Sequence, residues 1–260
     1  MRIHELMCFG AAPGHGNLAL VVENGPASSA QRQAFAADSK RPACVFLGTP
    51  VAGDPYKADF YYPHARSPLC LHAALAAAHV LVPRGHATLV TAMRGQHIKL
   101  RQDAHGTFAG VRRQAVAPLG IAPALPGWLL GEACLPLASA PLLSSVGSAK
   151  LLIEVTDSAT LHALRPPLER ITAWGRENGV NGCYVYCRVG DDVVEGRNFN
   201  HLDPALEDCA TGVAAGAMCA WLRRPLTVLQ GHALGNPCRI VTTIDGEDIY
   251  VGGASVSLVR

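Results

Sequence analysis

The chain is poor in charged residues, and the charges that it has are scattered. Only 16% of its 260 residues are Asp, Glu, Lys or Arg, and no run of basic residues is longer than a pair. Lys and Arg number 22 against 20 Asp and Glu, which gives a formal net charge of +2 at pH 7. Nucleic acids and anionic membranes are bound through clustered basic side chains. We therefore expect neither as a partner.

Long apolar runs and metal-binding spacings are missing as well. No uncharged apolar run reaches the roughly 20 residues that a bilayer requires. Residues 1–12 contain Arg2, His4 and Glu5 where a signal peptide would be apolar, so we expect a cytoplasmic protein. The spacings CxxC, HxxxH and HExxH, which are typical of zinc sites, do not occur, and we predict no metal.

The nine cysteines are an odd number and lie mostly in apolar surroundings. In a cytoplasmic protein such residues are expected to be reduced thiols. Cys183 and Cys187 lie in a strand-like run, so both should point to one face of that strand. Most of the nine are therefore predicted to be small buried hydrophobic residues.

Two alanine-rich helices are the strongest signals of structure. They are predicted at residues 73–82 and 211–222, and each is followed by Arg and Pro. Both are apolar almost all round, which is typical of buried helices. Because they have few large side chains, each can approach a sheet closely, so each half of the chain can be a sheet around one central helix.

Short β-branched or aromatic runs surround these two helices and predict strands. The predicted strands are residues 16–22, 43–47, 58–62, 87–93, 97–101, 150–155, 183–189, 226–230, 239–244 and 249–256, and a third helix is predicted at 168–178. Residues 116–145 are rich in Pro, Ala, Leu and Gly and predict an irregular connection with a short helix. We therefore predict an α+β chain of two similar halves, 1–115 and 116–260, with the C-terminal strand a candidate to return to the first half.

A cysteine and several polar residues precede each apolar helix. We call residues 68–72 the first cysteine segment and residues 207–213 the second cysteine segment. They lie in the strings ADFYYPHARSPLCLHAALAAAHVL and FNHLDPALEDCATGVAAGAMCAWL. The unpaired N–H groups of a helix N-terminus bind anions and lower the pKa of a thiol. Two such helix ends facing each other would make one pocket for a carboxylate.

These strings resemble the motifs TPxxExPLCGHAT and EDPATGSAAG of the PhzF-like phenazine-biosynthesis family. Near the N-terminus GHGNLALVV is similar to the family's GNPAAVV, and QGHALGNPCRI and VGGASVSLV are similar to its closing QG, GRPS and VGG strings. The resemblance covers nearly the whole chain in the same order. It implies a duplicated diaminopimelate-epimerase-like fold, in which two barrel-like mixed sheets each wrap on a central helix. It also implies a cofactor-independent active site in the cleft between the halves, and a homodimer.

Several residues match the family's motifs position by position. They are the family's Asn, the His of GHAT, and the Asp, Thr and Gly of EDPATG, which are Asn17, His72, Asp208, Thr211 and Gly212 here. Two of the departures from the pattern bear directly on the chemistry, and others include Leu71 and Ala210, which follow the two cysteines where the superfamily has Gly. The family's acid/base Glu aligns with Arg66, and the Pro of DPATG is Cys209, while Cys70 is kept.

With these changes, both cysteine segments contain a thiol. The resemblance extends to the diaminopimelate epimerases and proline racemases, whose two catalytic cysteines match Cys70 and Cys209, and to PhzF-like histidine racemases of metallophore synthesis. Inverting an α-carbon needs a base on one face and an acid on the other, and a thiolate and a thiol supply both without a cofactor. The resemblance thus implies a cofactor-independent racemase or epimerase acting on a small amino-acid-like carboxylate.

The remaining predictions concern the substrate contacts. The main-chain N–H groups predicted to hold the carboxylate are those of Leu71, His72, Ala73, Thr211, Gly212 and Val213. The His72 imidazole is predicted to orient the substrate or to tune Cys70. The Arg66 guanidinium cannot exchange protons, but it can pair with a substrate carboxylate or with a neighbouring acid. Asp208 is predicted either to cap the helix or to bind the substrate ammonium, and Glu207 to cap the helix.

Two other functions stay open at this point. In the first, the protein is a PhzF-like isomerase or dehydratase in which Asp208 moves the proton. In the second, it is a non-catalytic paralogue that binds a small molecule, because Arg66 stands where the family has its acid/base Glu.

Overall fold

The computed structural model describes residues 1–50, 53–199 and 207–258. Residues 200–206, which belong to the string that precedes the second apolar helix, and Val259 of VGGASVSLV lie outside the described residues. The chain divides into two compact units, the first made of Met1–Val111 with the residues from Tyr250 onward and the second of Arg112–Ile249. The division predicted from the sequence lies a few residues later, between 115 and 116.

The first unit is a mixed sheet with two helices. Its elements before residue 113 are β1 (Arg2–Cys8), β2 (Asn17–Glu23), α1 (Ser29–Ser39), β3 (Ala43–Leu47), β4 (Tyr56–Tyr61), β5 (Arg66–Ser67), α2 (Leu71–Leu81), β6 (Thr88–Thr91), β7 (His97–Asp103) and β8 (Gly106–Arg112). Strand β2 is parallel to β3 and β4 is parallel to β6. The pairs β1–β2, β3–β4, β4–β5, β6–β7 and β7–β8 are antiparallel.

Helix α2 is the buried helix of the first unit. Every residue of α2 except His79 is buried, and the helix contacts β1, β2, β3 and β7. Its alanines allow this close packing because they place only a methyl group between the helix and the sheet. Helix α1 packs on an apolar cluster that includes Leu20, Phe46 and Tyr61. Alternate residues of a strand point to opposite faces of the sheet, and those of β2 and β3 in this cluster face α1.

The second unit repeats the same succession of strand pairs. Its elements are α3 (Leu125–Leu130), β9 (Leu142–Ser145), β10 (Ala149–Glu154), α4 (Ser158–Ala163), α5 (Leu168–Asn178), β11 (Cys183–Arg188), β12 (Val193–Phe199), β13 (Glu207–Asp208), α6 (Gly212–Leu222), β14 (Leu226–Gln230) and β15 (Cys238–Asp245). The chain then forms β16 (Asp248–Gly253) and β17 (Ser255–Ser257), and from Tyr250 onward it belongs to the first unit. Strand β10 is parallel to β11 and β12 to β14. The pairs β9–β10, β11–β12, β12–β13 and β14–β15 are antiparallel.

Helix α6 is the buried helix of the second unit and contacts β9, β10, β14 and β15. A separate apolar cluster forms where strand residues such as Ile153 and Val185 pack with Ile171 and Trp174 of α5. Cys183 and Cys187 both belong to this cluster, which confirms that they point to one face of their strand. Among the described residues, no helix combines the length and the apolar character that crossing a membrane would require.

The two apolar helices predicted from the sequence are confirmed, with their first residues shifted by one or two positions. Strands 43–47 and 226–230 and helix 168–178 have the predicted bounds. The interpretation of 116–145 as irregular is wrong at its end, where β9 begins, although the short helix is present as α3. Several elements were not predicted, among them strands β1, β8 and β12 and helix α1. The capping box of α1, in which the Gln31 N–H lies 3.2 Å from Ser28 Oγ, was the available signal.

Candidate active site

The first cysteine segment brings a thiol, an imidazole and a phenol together. Cys70 is the N-cap residue of α2 and is 2% exposed. Its sulfur lies 3.2 Å from Nδ1 of His72. The Ala73 N–H and the Tyr62 hydroxyl also donate hydrogen bonds to this sulfur. Burial raises the pKa of Cys70, but the charge of His72 and these hydrogen bonds outweigh it, so the pKa lies below its ordinary value.

The backbone at Cys70 explains this arrangement. Cys70 is extended, with φ −134° and ψ 108°, while its carbonyl accepts the first helical hydrogen bond from Ala74 at 2.9 Å. The side chain therefore lies beside the first turn, where the N–H groups of a helix have no intrahelical acceptor. His72 is the second residue of that turn, and its ring reaches back to the sulfur. The local sequence CLHA thus favours a thiolate at Cys70.

Two further thiols and Asn17 lie near this segment within the first unit. Asn17 begins β2 opposite Cys8 of β1 and is 3% exposed. Cys8 and Cys44 are both close enough to Cys70 to interact with it electrostatically. Burial, opposed by a hydrogen bond from Ser255, raises the pKa of Cys8 to about 12. Of these three thiols, Cys70 is the one whose pKa lies below its ordinary value.

Arg66 pairs with an acid of its own unit. Its Nε–H donates to Oδ1 of Asp59 at 2.8 Å, and the Asp59 side chain is only 4% exposed. The same carboxylate accepts hydrogen bonds from Arg32 at 2.9 Å and from the Tyr61 hydroxyl at 3.0 Å. The hydrogen bond to Asp59 raises the pKa of Arg66 further. Of the two partners predicted for Arg66, the structure shows the neighbouring acid.

The second cysteine segment surrounds its thiol differently. Cys209 follows β13, is partly exposed, and is hydrogen-bonded to the thiol of Cys238. This hydrogen bond, then burial, and then the negative charge of Asp208 raise the pKa of Cys209 above its ordinary value. Cys209 is therefore held as a neutral thiol, which can donate a proton but cannot accept one.

One glutamine organises the start of α6. Gln230 Oε1 accepts hydrogen bonds from the Thr211 N–H at 3.1 Å and from the Tyr184 hydroxyl at 3.0 Å. Its Nε2 donates to the Asp208 carbonyl at 2.7 Å and to Thr211 Oγ1 at 3.0 Å. Gly196 allows the Tyr184 ring to lie here, because a Cβ at that position would collide with the ring. All of Gln230's amide groups are thus used to hold the second cysteine segment.

The two acids of this segment have structural partners. Asp208 Oδ2 accepts a hydrogen bond from the Thr211 hydroxyl at 2.6 Å. Glu207 forms a two-pronged ion pair with Arg197, with contacts of 2.9 and 2.7 Å. The prediction that Glu207 caps the helix is wrong, because β13 pairs with β12 and turns the carboxylate toward the buried Arg197. No side-chain cap of α6 is formed by Thr211 either.

A buried lysine lies in the second unit near Asp208. Lys150 of β10 is fully buried, and its Nζ donates to Asn198 Oδ1 at 2.8 Å. Burial lowers the pKa of Lys150 to about 8, although the charges of Asp208 and Cys183 oppose the shift. The only sequence signal for this residue was a single cation before the apolar run Leu151–Ile153.

Two of the six main-chain N–H groups predicted to hold a carboxylate have acceptors within the protein. The N–H of Ala73 donates to the Cys70 sulfur and that of Thr211 to Gln230, so both are already used. The four others predicted lie in the first turns of α2 and α6, where helices offer no intrahelical acceptor, and they are Leu71, His72, Gly212 and Val213. In the part of the chain that the structure describes, no three His, Cys, Asp or Glu side chains are arranged to hold a metal ion.

Sequence reasoning missed several residues that contact these segments, among them Tyr62, Arg197, Gln230 and Cys238. Tyr62 was inside the quoted string, but nothing in its spacing indicated a contact with Cys70. Gln230 and Cys238 lie in the string similar to the family's closing motif, and Cys238 occupies the place of the Ser of GRPS. An unusual thiol in a motif that normally has a hydroxyl was the signal available there.

Comparison with known proteins identifies the family of the chain. The model of the PhzC-PhzF family, described as phenazine biosynthesis-like proteins, matches residues 128–260. The chain belongs to this family. An uncharacterized isomerase from Deinococcus radiodurans is 30% identical to the chain over 292 residues, covering 98% of this chain and 92% of that protein.

Solved structures of a PhzF-family protein and of an amino-acid epimerase share the fold. A PhzF-family phenazine biosynthesis protein from Bacillus anthracis matches with a TM-score of 0.81 and 19% identity, covering 100% of this chain and 98% of that one. A hydroxyproline epimerase from Agrobacterium vitis, solved with bound trans-4-hydroxy-L-proline, matches with a TM-score of 0.65 and 11% identity, covering 99% and 90%. At these identities the likeness concerns the fold alone. The chain therefore has the mixed α+β, PhzF-like fold.

Proposed function

We propose that this PhzC-PhzF protein is a cofactor-independent racemase or epimerase that inverts the α-carbon of an amino acid or of a carboxylate derived from one. Cys70 and Cys209 are its acid and base. The observation that carries the proposal is the contrast between the two thiols. Hydrogen-bond donors surround Cys70, whereas Cys209 faces a second thiol and a carboxylate, so their pKa values are shifted in opposite directions.

This contrast supplies the protonation states that the reaction needs. The Cys70 thiolate takes the α-proton from one face of the substrate, and the electron pair of the C–H bond moves toward the carboxylate. The Cys209 thiol then delivers its proton to the other face, which completes the inversion with no net change in protons. The enzyme is left with a thiol at Cys70 and a thiolate at Cys209, the state from which the reverse reaction starts.

The substrate carboxylate accepts hydrogen bonds from the main-chain N–H groups of Leu71, His72, Gly212 and Val213. Helix N-termini stabilise the negative charge that develops on the carboxylate as the proton leaves. In this mechanism His72 stabilises the Cys70 thiolate, Asn17 contacts the substrate, and Arg66 supports the first cysteine segment through Asp59.

Relatives and fold support the same class of reaction. The Deinococcus radiodurans relative is named an isomerase, and the epimerase of the same fold binds trans-4-hydroxy-L-proline, a cyclic amino acid. The matching succession of strand pairs and the cysteine before each buried helix support a duplicated chain with one catalytic thiol in each half. Asp208 is a weaker candidate for proton transfer, because the Thr211 hydroxyl already donates to its carboxylate at 2.6 Å.

Incubation of single-enantiomer amino acids with the protein in D₂O tests the proposal. Proton NMR follows the loss of the α-hydrogen, and chiral chromatography follows the appearance of the other enantiomer. We expect deuterium incorporation together with inversion for at least one amino acid. Tight binding of amino acids without exchange would instead indicate a binding protein.

Serine variants separate the roles of the two thiols. Cys209→Ser is expected to lose inversion but to keep α-deuterium exchange on the enantiomer that Cys70 deprotonates. Cys70→Ser is expected to lose both at neutral pH, because Cys209 begins as a thiol. Cys134→Ser is the matched control, since Cys134 is exposed and has no part in the proposal. Full activity in both Cys70→Ser and Cys209→Ser would contradict the mechanism.

A further inference from the structure

We propose that Cys238 is a positioning residue that keeps Cys209 protonated until the substrate is bound. The effect on Cys209 concerns groups of the second unit and does not depend on which substrate binds. Its consequence for the reaction rests on the proposed function of Cys209.

The thiol of Cys238 donates its hydrogen bond away from Cys209. Cys238 begins β15, is 1% exposed, and donates its S–H to the carbonyl of Asn236 at 3.3 Å. A thiol has one proton, and this bond uses it. The sulfur lone pairs of Cys238 are then left to accept the proton of Cys209, to which Cys238 is hydrogen-bonded. A donor at Cys238 would have stabilised a thiolate at Cys209, and an acceptor stabilises the thiol.

The backbone around Gly231 holds the two cysteines together. Gly231 has φ +84°, and a Cβ there would collide with the Asn236 carbonyl and lie 2.8 Å from the carbonyl oxygen of Cys209. Asn236 donates its N–H to the Gly231 carbonyl at 3.1 Å, which closes the turn between β14 and β15. Only glycine allows so close an approach of these three stretches of backbone. The turn therefore fixes the position of Cys238 relative to the second cysteine segment.

A hydrogen bond from β14 also holds the second cysteine segment close to Cys238. Gln230 lies opposite Cys238 in the β14–β15 pair, and its Nε2 donates to the Asp208 carbonyl at 2.7 Å. The residue before Cys209 is thus bound to the residue beside Cys238. Because the Asp208 carboxylate adds a negative charge next to Cys209, a thiolate there is opposed from two directions.

The consequence for catalysis is that the reaction starts with Cys70 as a thiolate and Cys209 as a thiol. If Cys238 stopped accepting the proton of Cys209, a fraction of the protein would begin with a thiolate at both catalytic positions and no acid. Inversion would then weaken as the pH rises, while exchange through Cys70 would continue. Cys238 therefore widens the pH range in which one thiol is the base and the other is the acid.

The ionisation of Cys209 is measured without substrate. In a Cys134→Ser background, which removes the exposed thiol, the protein is treated with iodoacetamide between pH 6 and pH 10 under a phosphine reductant. Mass spectrometry of peptides reports the alkylation rate of Cys209. We expect Cys238→Ala to raise this rate at pH 8 by about tenfold, which corresponds to about one pKa unit. Cys238→Ser is expected to restore the slow rate, because a hydroxyl can both donate to Asn236 and accept from Cys209.

The alkylation rate also depends on how easily iodoacetamide reaches Cys209. A spectroscopic titration measures the ionisation of the Cys209 thiol without that contribution. The absorbance of thiolates near 240 nm is followed against pH in the parent and in Cys238→Ala, each with and without Cys209→Ser. The contribution of Cys209 is expected to move to lower pH in Cys238→Ala. Cys219→Ala is the matched control, because Cys219 is a buried thiol of α6 whose hydrogen bond is with Thr242. That variant should leave the Cys209 titration unchanged.

An unchanged Cys209 titration in folded Cys238→Ala would overturn the proposal. The result is independent of whether the protein is a racemase, because no substrate takes part. If the Cys209 titration shifts and no amino acid exchanges, Cys238 has the role proposed and the proposed function fails. If inversion occurs and Cys238→Ala shifts neither the Cys209 titration nor the alkaline limb of inversion, the function stands and the role of Cys238 is refuted.

Discussion

Arg66 and Asp59 form an ion pair in which the guanidinium Nε–H lies 2.8 Å from Oδ1 of a carboxylate that is 4% exposed. Position 66 is where the resemblance to the PhzF-like family places an acid/base Glu. In this chain a Glu at that position would meet the Asp59 carboxylate at short range. The buried Asp59 carboxylate therefore favours Arg at this position, because it would repel a Glu.

Arg66→Glu is expected to destabilise the first unit by about 1–2 kcal/mol, because Asp59 loses a cation and gains a repelling charge. Urea unfolding at pH 7 measures the effect. Adding Asp59→Asn to that variant should recover part of the loss, since it removes the repulsion. Equal unfolding free energies of Arg66→Glu and the parent would show that solvent screens the ion pair so strongly that it does not contribute to stability.

His72→Phe is expected to move the exchange activity to higher pH. The imidazole lowers the pKa of the Cys70 thiol by its charge and its hydrogen bond, so removing it raises that pKa and reduces the thiolate present at pH 7. The rate of α-deuterium exchange against pH measures the shift. His79→Phe on the same helix is the control and should leave the profile where it is. A loss of rate that is equal at every pH would point to substrate contact rather than to tuning of Cys70.

Gln230→Leu is expected to cost about 2–4 kcal/mol of unfolding free energy. The change leaves the Thr211 N–H and the Tyr184 hydroxyl without their acceptor in a buried place, and each such loss costs about 1–3 kcal/mol. Urea unfolding compares it with Gln102→Leu, an exposed position on β7. Similar stability of the two variants would mean that water replaces the lost partners.

Lys150→Met is expected to change how stability depends on pH. Folding lowers the pKa of Lys150 to about 8, so between about pH 8 and pH 10.4 the unfolded chain holds a proton that the folded chain lacks. The stability of the parent therefore rises with pH in this window, by about 3 kcal/mol relative to Lys150→Met. Urea unfolding from pH 7 to pH 10.5 measures the difference.

Lys57→Met, at an exposed position of β4, is the control and should follow the parent at every pH. A difference between the parent and Lys150→Met that stays constant with pH would show that Lys150 has the same pKa in the folded and the unfolded chain.

The cysteine segments were predictable because their signals are local. A cysteine, a short polar stretch and an alanine-rich run follow one another in the chain, and the structure confirms a buried helix after each. The partners of the acids were not predictable in this way. Glu207 pairs with Arg197 across two strands, and Asp208 is held by Thr211 and Gln230, so both depend on how β12, β13 and β14 come together.

By itself, the sequence determined the two buried helices and the thiol that precedes each one. A run that is apolar all round has no face to offer to water, and the arginine and proline after it end the helix. Only the tertiary structure decided how the two thiols ionise. The pKa of a thiol depends on the donors, acceptors and charges within a few ångströms. His72 and Tyr62 supply donors to Cys70, whereas the turn after β14 brings the Cys238 sulfur to Cys209 as an acceptor.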